Sequence, residues 1–193
     1  MESVKDKLRI ELTAVVVAII GVMMAVIFVT TRFTEIPIGP GGYIHLGDTA
    51  IYFTSFIFGP VVAGIAGGFG TSFSDLSSGY ANYAAGTFVI HGLQGVVAGV
   101  IAWRGGLNRM IMGGIAGAIV LVVGYFIYDF AILQLGIGTA WTDAGLNLFQ
   151  VASGAVIGIP LVLAVRRAYP PINNWTYRRT WQEETTPSNS TGD

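Results

Sequence analysis

The sequence predicts an all-α integral membrane protein with six transmembrane helices and both termini in the cytoplasm. Three observations carry that expectation. Of 193 residues, 53% are hydrophobic and only 11% charged, where a soluble domain carries about 25% charged residues. Long apolar runs recur at intervals suited to spanning a bilayer. And between Asp48 and Asp75 the chain carries no charge at all, across a stretch broken in the middle by Gly59-Pro60.

That broken stretch, from Gly41 to Gly79, organises the rest. Proline lacks a donor N–H and glycine lacks a Cβ, so a straight helix through both is disfavoured. Proline does suit the first position of a helix. The reading is a re-entrant turn, with one short helix ending at Phe58 and the next starting at Pro60. Helix 1 spans about Leu12–Thr31, roughly the 20 residues that a bilayer core requires. It is too long for a secretory signal and no small-residue cleavage site follows. After a Gly/Pro loop from Arg32 to Gly47, helix 2 covers Ile44–Phe58 and helix 3 Pro60–Asp75. A polar loop to Ala84 leads into helix 4, Ala85–Trp103, and helix 5 follows at Leu107–Tyr128. An outer loop, Asp129–Asp143, precedes helix 6 at Ala144–Val165. Residues 1–167 form the membrane domain, and 168–193 read as a polar, disordered cytoplasmic tail.

Basic residues decide the count. With six helices, Lys5, Lys7, Arg9, Arg104, Arg109, Arg166, Arg167, Arg178 and Arg179 are all cytoplasmic, and only Arg32 is outside. Five helices would move six of those arginines outside, against the positive-inside bias. Helix 2 is the short one. At 1.5 Å per residue it reaches only about 22 Å of a roughly 30 Å core. The outer loop must then dip inward, which is tolerated where it lines a cavity.

Small residues repeat at close-packing spacing. Helix 1 carries Ala14, Ala18, Gly21 and Ala25. Gly64/Gly68, Gly95/Gly99, Gly113/Gly117 and Gly154/Gly158 follow on helices 3 to 6. Such stripes let helix backbones approach, and on helices 3 to 6 they read as internal packing.

Polar side chains gather in the outer halves of the spans. Thr87, His91 and Gln94 share a face of helix 4 at i, i+4, i+7. Asp143, Asn147 and Gln150 repeat that spacing on helix 6, and helix 5 ends in Tyr125, Tyr128 and Asp129. Intramembrane polar groups are costly and face a bundle interior or wet cavity. The alternative is interhelical hydrogen bonding, at roughly 0.6 kcal/mol per contact. With Tyr43, Asp75, Tyr80, Asn82 and Tyr83 at the same depth, the set fits a pocket for a flat, hydrogen-bonding heteroaromatic solute. The candidate substrate contacts are therefore Tyr43, Asp75, Tyr80, Asn82, Tyr83, Thr87, His91, Gln94, Tyr125, Asp129, Asn147 and Gln150. Asp48 reads as the cap of helix 2.

Several classes are excluded. The net charge of −1 argues against nucleic acid. There is no cysteine and there are only two histidines, so neither a disulfide nor a zinc cluster is expected. No metal or other cofactor is implied. No acid lies at mid-membrane, as a proton-coupled path would want. Neither a nucleophile elbow nor a phosphate-cradling GxxxxGK[ST] loop occurs, so neither an intramembrane hydrolase nor ATP hydrolysis by that route is expected.

The run GGYIHLGDTAIYFTSFIFGPVVAGIAGGFGTSFSDLSSGY, followed by FVIHGLQGVVAGVIAW, resembles the S components of energy-coupling factor (ECF) vitamin importers, of the riboflavin-type subgroup. Helices 1 to 4 carry the match, and the six-helix plan extends it to Val165. The resemblance implies a plasma-membrane subunit, not an enzyme, that captures a vitamin or precursor from outside. It also implies partnership with a T component and two ATPases, with Ala14 and Ala18 corresponding to the Ala-xxx-Ala motif that contacts the T component. Two other readings remain open on the sequence: a solitary transporter without ATPases, and a structural membrane protein without a ligand.

Overall fold

A computed structural model describes residues 13–37 and 42–175. The basic residues Lys5, Lys7, Arg9, Arg178 and Arg179, and the tail from 176, lie outside the described residues. The architecture is a bundle of six helices: α1 (Ala14–Phe33), α2 (Gly47–Ile57), α3 (Pro60–Ser78), α4 (Ala84–Ala102), α5 (Leu107–Ile127) and α6 (Ile137–Ala168). Between α1 and α2 the chain forms a small antiparallel hairpin, β1 (Ile36–Pro37) and β2 (Tyr43–Ile44), with Ile36 opposite Ile44.

Four of these elements, α1, α4, α6 and α5 with its continuation to Ile132, are long and apolar enough to cross a membrane. Their outward faces are apolar too, as on α1 where Val15, Val17, Val22, Val26 and Val29 are exposed. A soluble surface would not hold such a run of valines; a lipid-facing one does. The helix starts as its sequence demands, with Thr13 Oγ1 accepting from the Val16 N–H at 3.3 Å.

Helix α2 is the buried centre. Its 11 residues rise only about 16 Å, and it packs against α1, α3, α4 and α6. Only Thr49 and Phe53 escape full burial. Its polar side chains are satisfied locally: Thr54 Oγ1 donates to Ala50 O at 2.6 Å and Ser55 Oγ to Ile51 O at 2.8 Å. Tyr52 reaches across to Gly114 O at 2.9 Å. At the hinge, Gly59 has φ +94°, and a Cβ there would sit 2.9 Å from the Trp103 ring. Both the torsion and the contact demand glycine, and Pro60 opens α3.

The two ends of the bundle differ. At the hinge end, the Arg166 guanidinium donates to Phe56 O and to Gly105 O, each at 2.7 Å. It thereby ties the α2–α3 hinge, the α4–α5 turn and the end of α6 together. Here Ile172 is buried and the Trp175 ring stacks on Phe58 with centroids 6.4 Å apart. At the opposite, hairpin end, Arg32 pairs with Glu35 at 2.7 Å, and Glu35 accepts from Ser78 Oγ at 2.6 Å.

Two boundaries need correction. Ile44, expected to open helix 2, pairs with Ile36 in the hairpin, so α2 begins only at Gly47. The segment 129–143, expected as a loop, is a π-helical turn over Tyr128–Ile132 and a short link to Gly136, after which α6 begins at Ile137. Gly136, Gly138 and Thr139 read as loop punctuation. Burial of Ala140, Asp143 and Ala144 overrides that weak local preference. The resulting 32-residue helix is about 48 Å long, well beyond a bilayer core, and its first turns rise over the hairpin end.

Candidate functional site

A polar cleft opens at the hairpin end, walled by the hairpin, the end of α3, the α3–α4 loop, and the facing halves of α4, α5 and α6. It encloses about 420 Å³ of space counting its open mouth, of which only about 30 Å³ admits the centre of a water molecule. Aromatic plates close it in. The Tyr43 and Tyr80 rings lie 4.9 Å apart, and Tyr83 stands 6.4 Å from Tyr125.

The upper walls pair hydroxyls with carboxylates. Tyr43 Oη donates to Asp75 Oδ1 at 2.8 Å, with Ser74 Oγ 3.2 Å away. Tyr83 Oη donates to Asp129 Oδ1 at 3.0 Å. Thr87 and Tyr125 share a hydrogen bond of 2.8 Å. Asp143, Asn147 and Gln150 form the α6 wall, one helical face at i, i+4 and i+7.

Beneath lies a second polar layer. Asp48, fully buried, accepts from Gln94 Nε2 through Oδ1 and from Gln150 Nε2 through Oδ2, both at 2.7 Å. With both amide groups so oriented, their carbonyl oxygens must face other donors. Gln150 Oε1 accepts from the His45 N–H at 3.0 Å, and Gln94 Oε1 meets His91 Nδ1 at 2.9 Å. The carbonyl can only accept, so this network puts a proton on His91 Nδ1, which also stands 3.6 Å from Asp48 Oδ1; in the neutral imidazole Nε2 is then an acceptor. His45 Nδ1 accepts from the Gly47 N–H at 3.0 Å. Burial pushes the His45 imidazole down to about 4, with His91 adding to the shift and Asp48 opposing it.

Nine of the twelve residues singled out from the sequence line this cleft: Tyr43, Asp75, Tyr80, Tyr83, Thr87, Tyr125, Asp129, Asn147 and Gln150. His91 and Gln94 sit in the layer below it, and Asn82 is exposed on the α3–α4 loop, where its carbonyl accepts from Tyr128 Oη at 2.8 Å. Asp48 is not a cap: Leu46 holds that position and the Asp48 side chain turns inward. His45 and Asp143 also line the cleft; the sequence reading passed over His45 and placed Asp143 on the polar face of helix 6 without counting it among the contacts. His45 directly follows β2, two residues from Tyr43, and Asp143 heads the α6 face that contains Asn147 and Gln150. Among the described residues no group of three or more His, Asp or Glu could hold a metal ion.

The small-residue stripes part company. Ideal Cβ atoms at Gly95 and Gly99 would meet Ala63 O and Pro60 Cα at 2.8 and 2.7 Å, and one at Gly154 would meet Asp48 Cβ at 2.5 Å. Those stripes are filled from within. On α1, Ala14, Ala18, Gly21 and Ala25 are all exposed, and nothing stands within 4 Å of a Cβ at Gly21.

Comparison with known proteins bears on this arrangement. Residues 11–167 match the family model described as ECF-type riboflavin transporter, S component. An uncharacterised protein from the gap 3′ region of Pyrococcus woesei is 36% identical over 147 residues, covering 75% of this chain and 97% of that one. The thiamine precursor transporter HmpT of Lactococcus lactis subsp. cremoris is 33% identical over 151 residues, covering 77% of this chain and 86% of its own. The crystal structure of FolT bound with folic acid superposes with a TM-score of 0.63 at 18% identity, covering 81% of this chain and 95% of that one. That last likeness concerns the fold, and it is the same helical bundle. A family match running from the start of α1 to the end of α6 takes in every wall of the cleft, so the chain belongs to the S components of the ECF-type riboflavin transporter family, multi-pass proteins of the plasma membrane.

Proposed function

We propose that this chain is the substrate-capturing subunit of an ATP-driven importer, binding a B-vitamin or precursor with a riboflavin-like, pyrimidine or pyridine ring at the outer face. The cleft is the observation that carries this reading. Aromatic plates suit the faces of a flat ring and the hydroxyl, carboxylate and amide groups between them suit its edges. Tyr43, Asp75, Tyr80, Tyr83, Thr87, Tyr125, Asp129, Asn147 and Gln150 contact the substrate from the walls, joined by His45 and Asp143. His91 and Gln94 act from beneath. The narrowness of the cleft means that Tyr43 on the hairpin swings aside to admit a ring.

Six crossings with both termini in the cytoplasm are part of the same reading. Its support is charge: Arg104, Arg109, Arg166 and Arg167 lie at the hinge end, against Arg32 alone at the hairpin end. The hairpin end then faces outward.

A T component and two ATPases complete the importer, and α1 docks on the T component through Ala14 and Ala18. The exposed stripe supports this, because small residues admit a second helix at short range and among the described residues no helix packs on them. Ala14→Trp with Ala18→Trp tests the whole proposal. The double variant should lose co-purification with the T component and lose ATP-dependent uptake. The isolated subunit should still carry the bound vitamin that mass spectrometry identifies in extracts of the unaltered protein. Continued assembly and uptake would remove α1 from the docking role, and the absence of any vitamin or precursor from the unaltered protein's extracts and binding titrations would sink the capture role.

A further inference from the structure

The cleft is rich in acceptors and devoid of cations. Asp75, Asp129 and Asp143 line it, each no more than 3% exposed. No lysine or arginine is among its lining residues. Among the described residues Arg32 alone stands at this end, held by Glu35 at 2.7 Å, while Arg104, Arg109, Arg166 and Arg167 lie at the hinge end.

A second, independent feature points to what fills this surface. Asp75 Oδ2 and Asp143 Oδ2 are buried with no hydrogen-bond partner, and so is His91 Nε2 in the layer below. Thr87 lies beside Asp75 and shares a hydrogen bond with Tyr125 in which either hydroxyl can donate. Both carboxylate oxygens want donors. Buried acceptors are costly until a donor reaches them, and a negative group brought among three carboxylates meets repulsion that water screens poorly.

We infer that the cleft selects a heteroaromatic ligand that is neutral or cationic and presents amino or ring N–H donors, and that it rejects rings bearing a carboxylate or phosphate. The inference rests on the capture function proposed above and narrows its substrate. Asp75 and Asp143 take the ligand's outer N–H groups from opposite walls.

The test is a binding titration of the purified full chain, read by tryptophan fluorescence, with matched probes. One series is pyridoxamine, pyridoxine and 4-pyridoxic acid. Another is 4-amino-5-hydroxymethyl-2-methylpyrimidine and its phosphate, and a third riboflavin and flavin mononucleotide. In whichever series binds, the donor-bearing, unphosphorylated member should win over its anionic partner by on the order of 100-fold. Asp75→Asn and Asp143→Asn keep the side-chain shape. Each should weaken the preferred probe about 10-fold while narrowing the gap to the anion. An anionic member that binds as well as its partner overturns the inference, as it would if the carboxyl groups were protonated donors. So does a preference unchanged in both variants while their melting points match the unaltered protein. Should no probe bind, the compound extracted from the purified protein decides: an amine or neutral N–H heterocycle supports the inference and an anion overturns it. If nothing is extracted either, the capture function fails, and the narrower inference with it.

Discussion

Asp48→Asn should break the layer beneath the cleft, because a carboxamide cannot do what this carboxylate does. Both oxygens of Asp48 accept, one from Gln94 Nε2 and one from Gln150 Nε2. Asparagine puts an NH2 group against one of those two donors. If it faces Gln150, that amide must flip, and its own NH2 then points at the His45 N–H, which now donates to Gln150 Oε1. If it faces Gln94, the flip turns Gln94 Nε2 toward His91 Nδ1, and the imidazole proton must move to Nε2. The first arrangement leaves a buried donor without an acceptor, at a cost of about 1–3 kcal/mol. The second reverses the character of the His91 nitrogen that the cleft offers from below. Two readouts separate these outcomes. Thermal unfolding in detergent should fall by several degrees, at roughly 2–4 °C per kcal/mol for a chain of this size. The 15N shifts of the two histidines, easily assigned because there are only two, should report Nδ1 protonation at His91 in the unaltered protein and its loss in any molecule that takes the second route. A variant with an unaltered melting point and unaltered His91 shifts would refute the network as described.

Three further outcomes are expected. Gly154→Ala should lower stability by about 1–3 kcal/mol, because its Cβ would press on Asp48 Cβ at 2.5 Å; Gly145→Ala, with nothing within 4 Å, should raise it by up to about 1 kcal/mol, and melts of equal sign would contradict the packing. His45 holds its proton in the fold only near pH 4, against 6.5 when unfolded. Between those values the unfolded chain binds more protons, so stability falls as pH drops from about 6.5 toward 4, by about 3 kcal/mol in all. Carboxylates titrate in the same window, so the measurement is the difference between the unaltered protein and His45→Gln, and parallel profiles would rule this origin out. Finally, cysteines at Asn82 and Gly106, both exposed in a chain without native cysteine, should react oppositely with an impermeant thiol reagent on intact cells; labelling of both would count against six crossings.

The elements were legible where hydropathy and punctuation agree. The Gly59-Pro60 hinge announced two short helices because glycine and proline constrain the backbone directly, and α3 indeed begins at Pro60. The start of α6 was hidden, because Gly136, Gly138 and Thr139 look like a loop until Ala140 and Asp143 are seen to be buried. The cleft shows a similar division. Spacing at i, i+4, i+7 assigns Thr87, His91 and Gln94 to one face of α4, but not to a depth. Thr87 reaches the wall while the other two lie below it, under a hairpin whose position depends on long-range contacts. Asp48 was misread for the same reason: a carboxylate near a helix start is an ordinary cap, and only Gln94 and Gln150, 46 and 102 residues away in the chain, reveal its other use.

The small-residue stripes show how far spacing can carry an argument. Gly95/Gly99, Gly154/Gly158 and the α1 stripe share one pattern, and the physics of that pattern is the same: a helix or backbone can come close. What differs is who comes. For Gly99 it is the start of α3, for Gly154 the buried carboxylate helix α2, and for Gly21 nobody within 4 Å. A chain that has filled every other such groove from its own helices has left this one to face outward, on the helix whose hydropathy is the highest of its candidate spans. Lipid alone would be served as well by valine, which this helix has in plenty on its exposed flanks. Alanine and glycine in register leave a shallow channel that acyl chains fill no better than a flat apolar face does, whereas a second helix gains close backbone contact along it. Among the described residues the groove on α1 is left to the docking proposed above, and the cleft at the hairpin end, built from α3 to α6 and the hairpin, has none of its walls there.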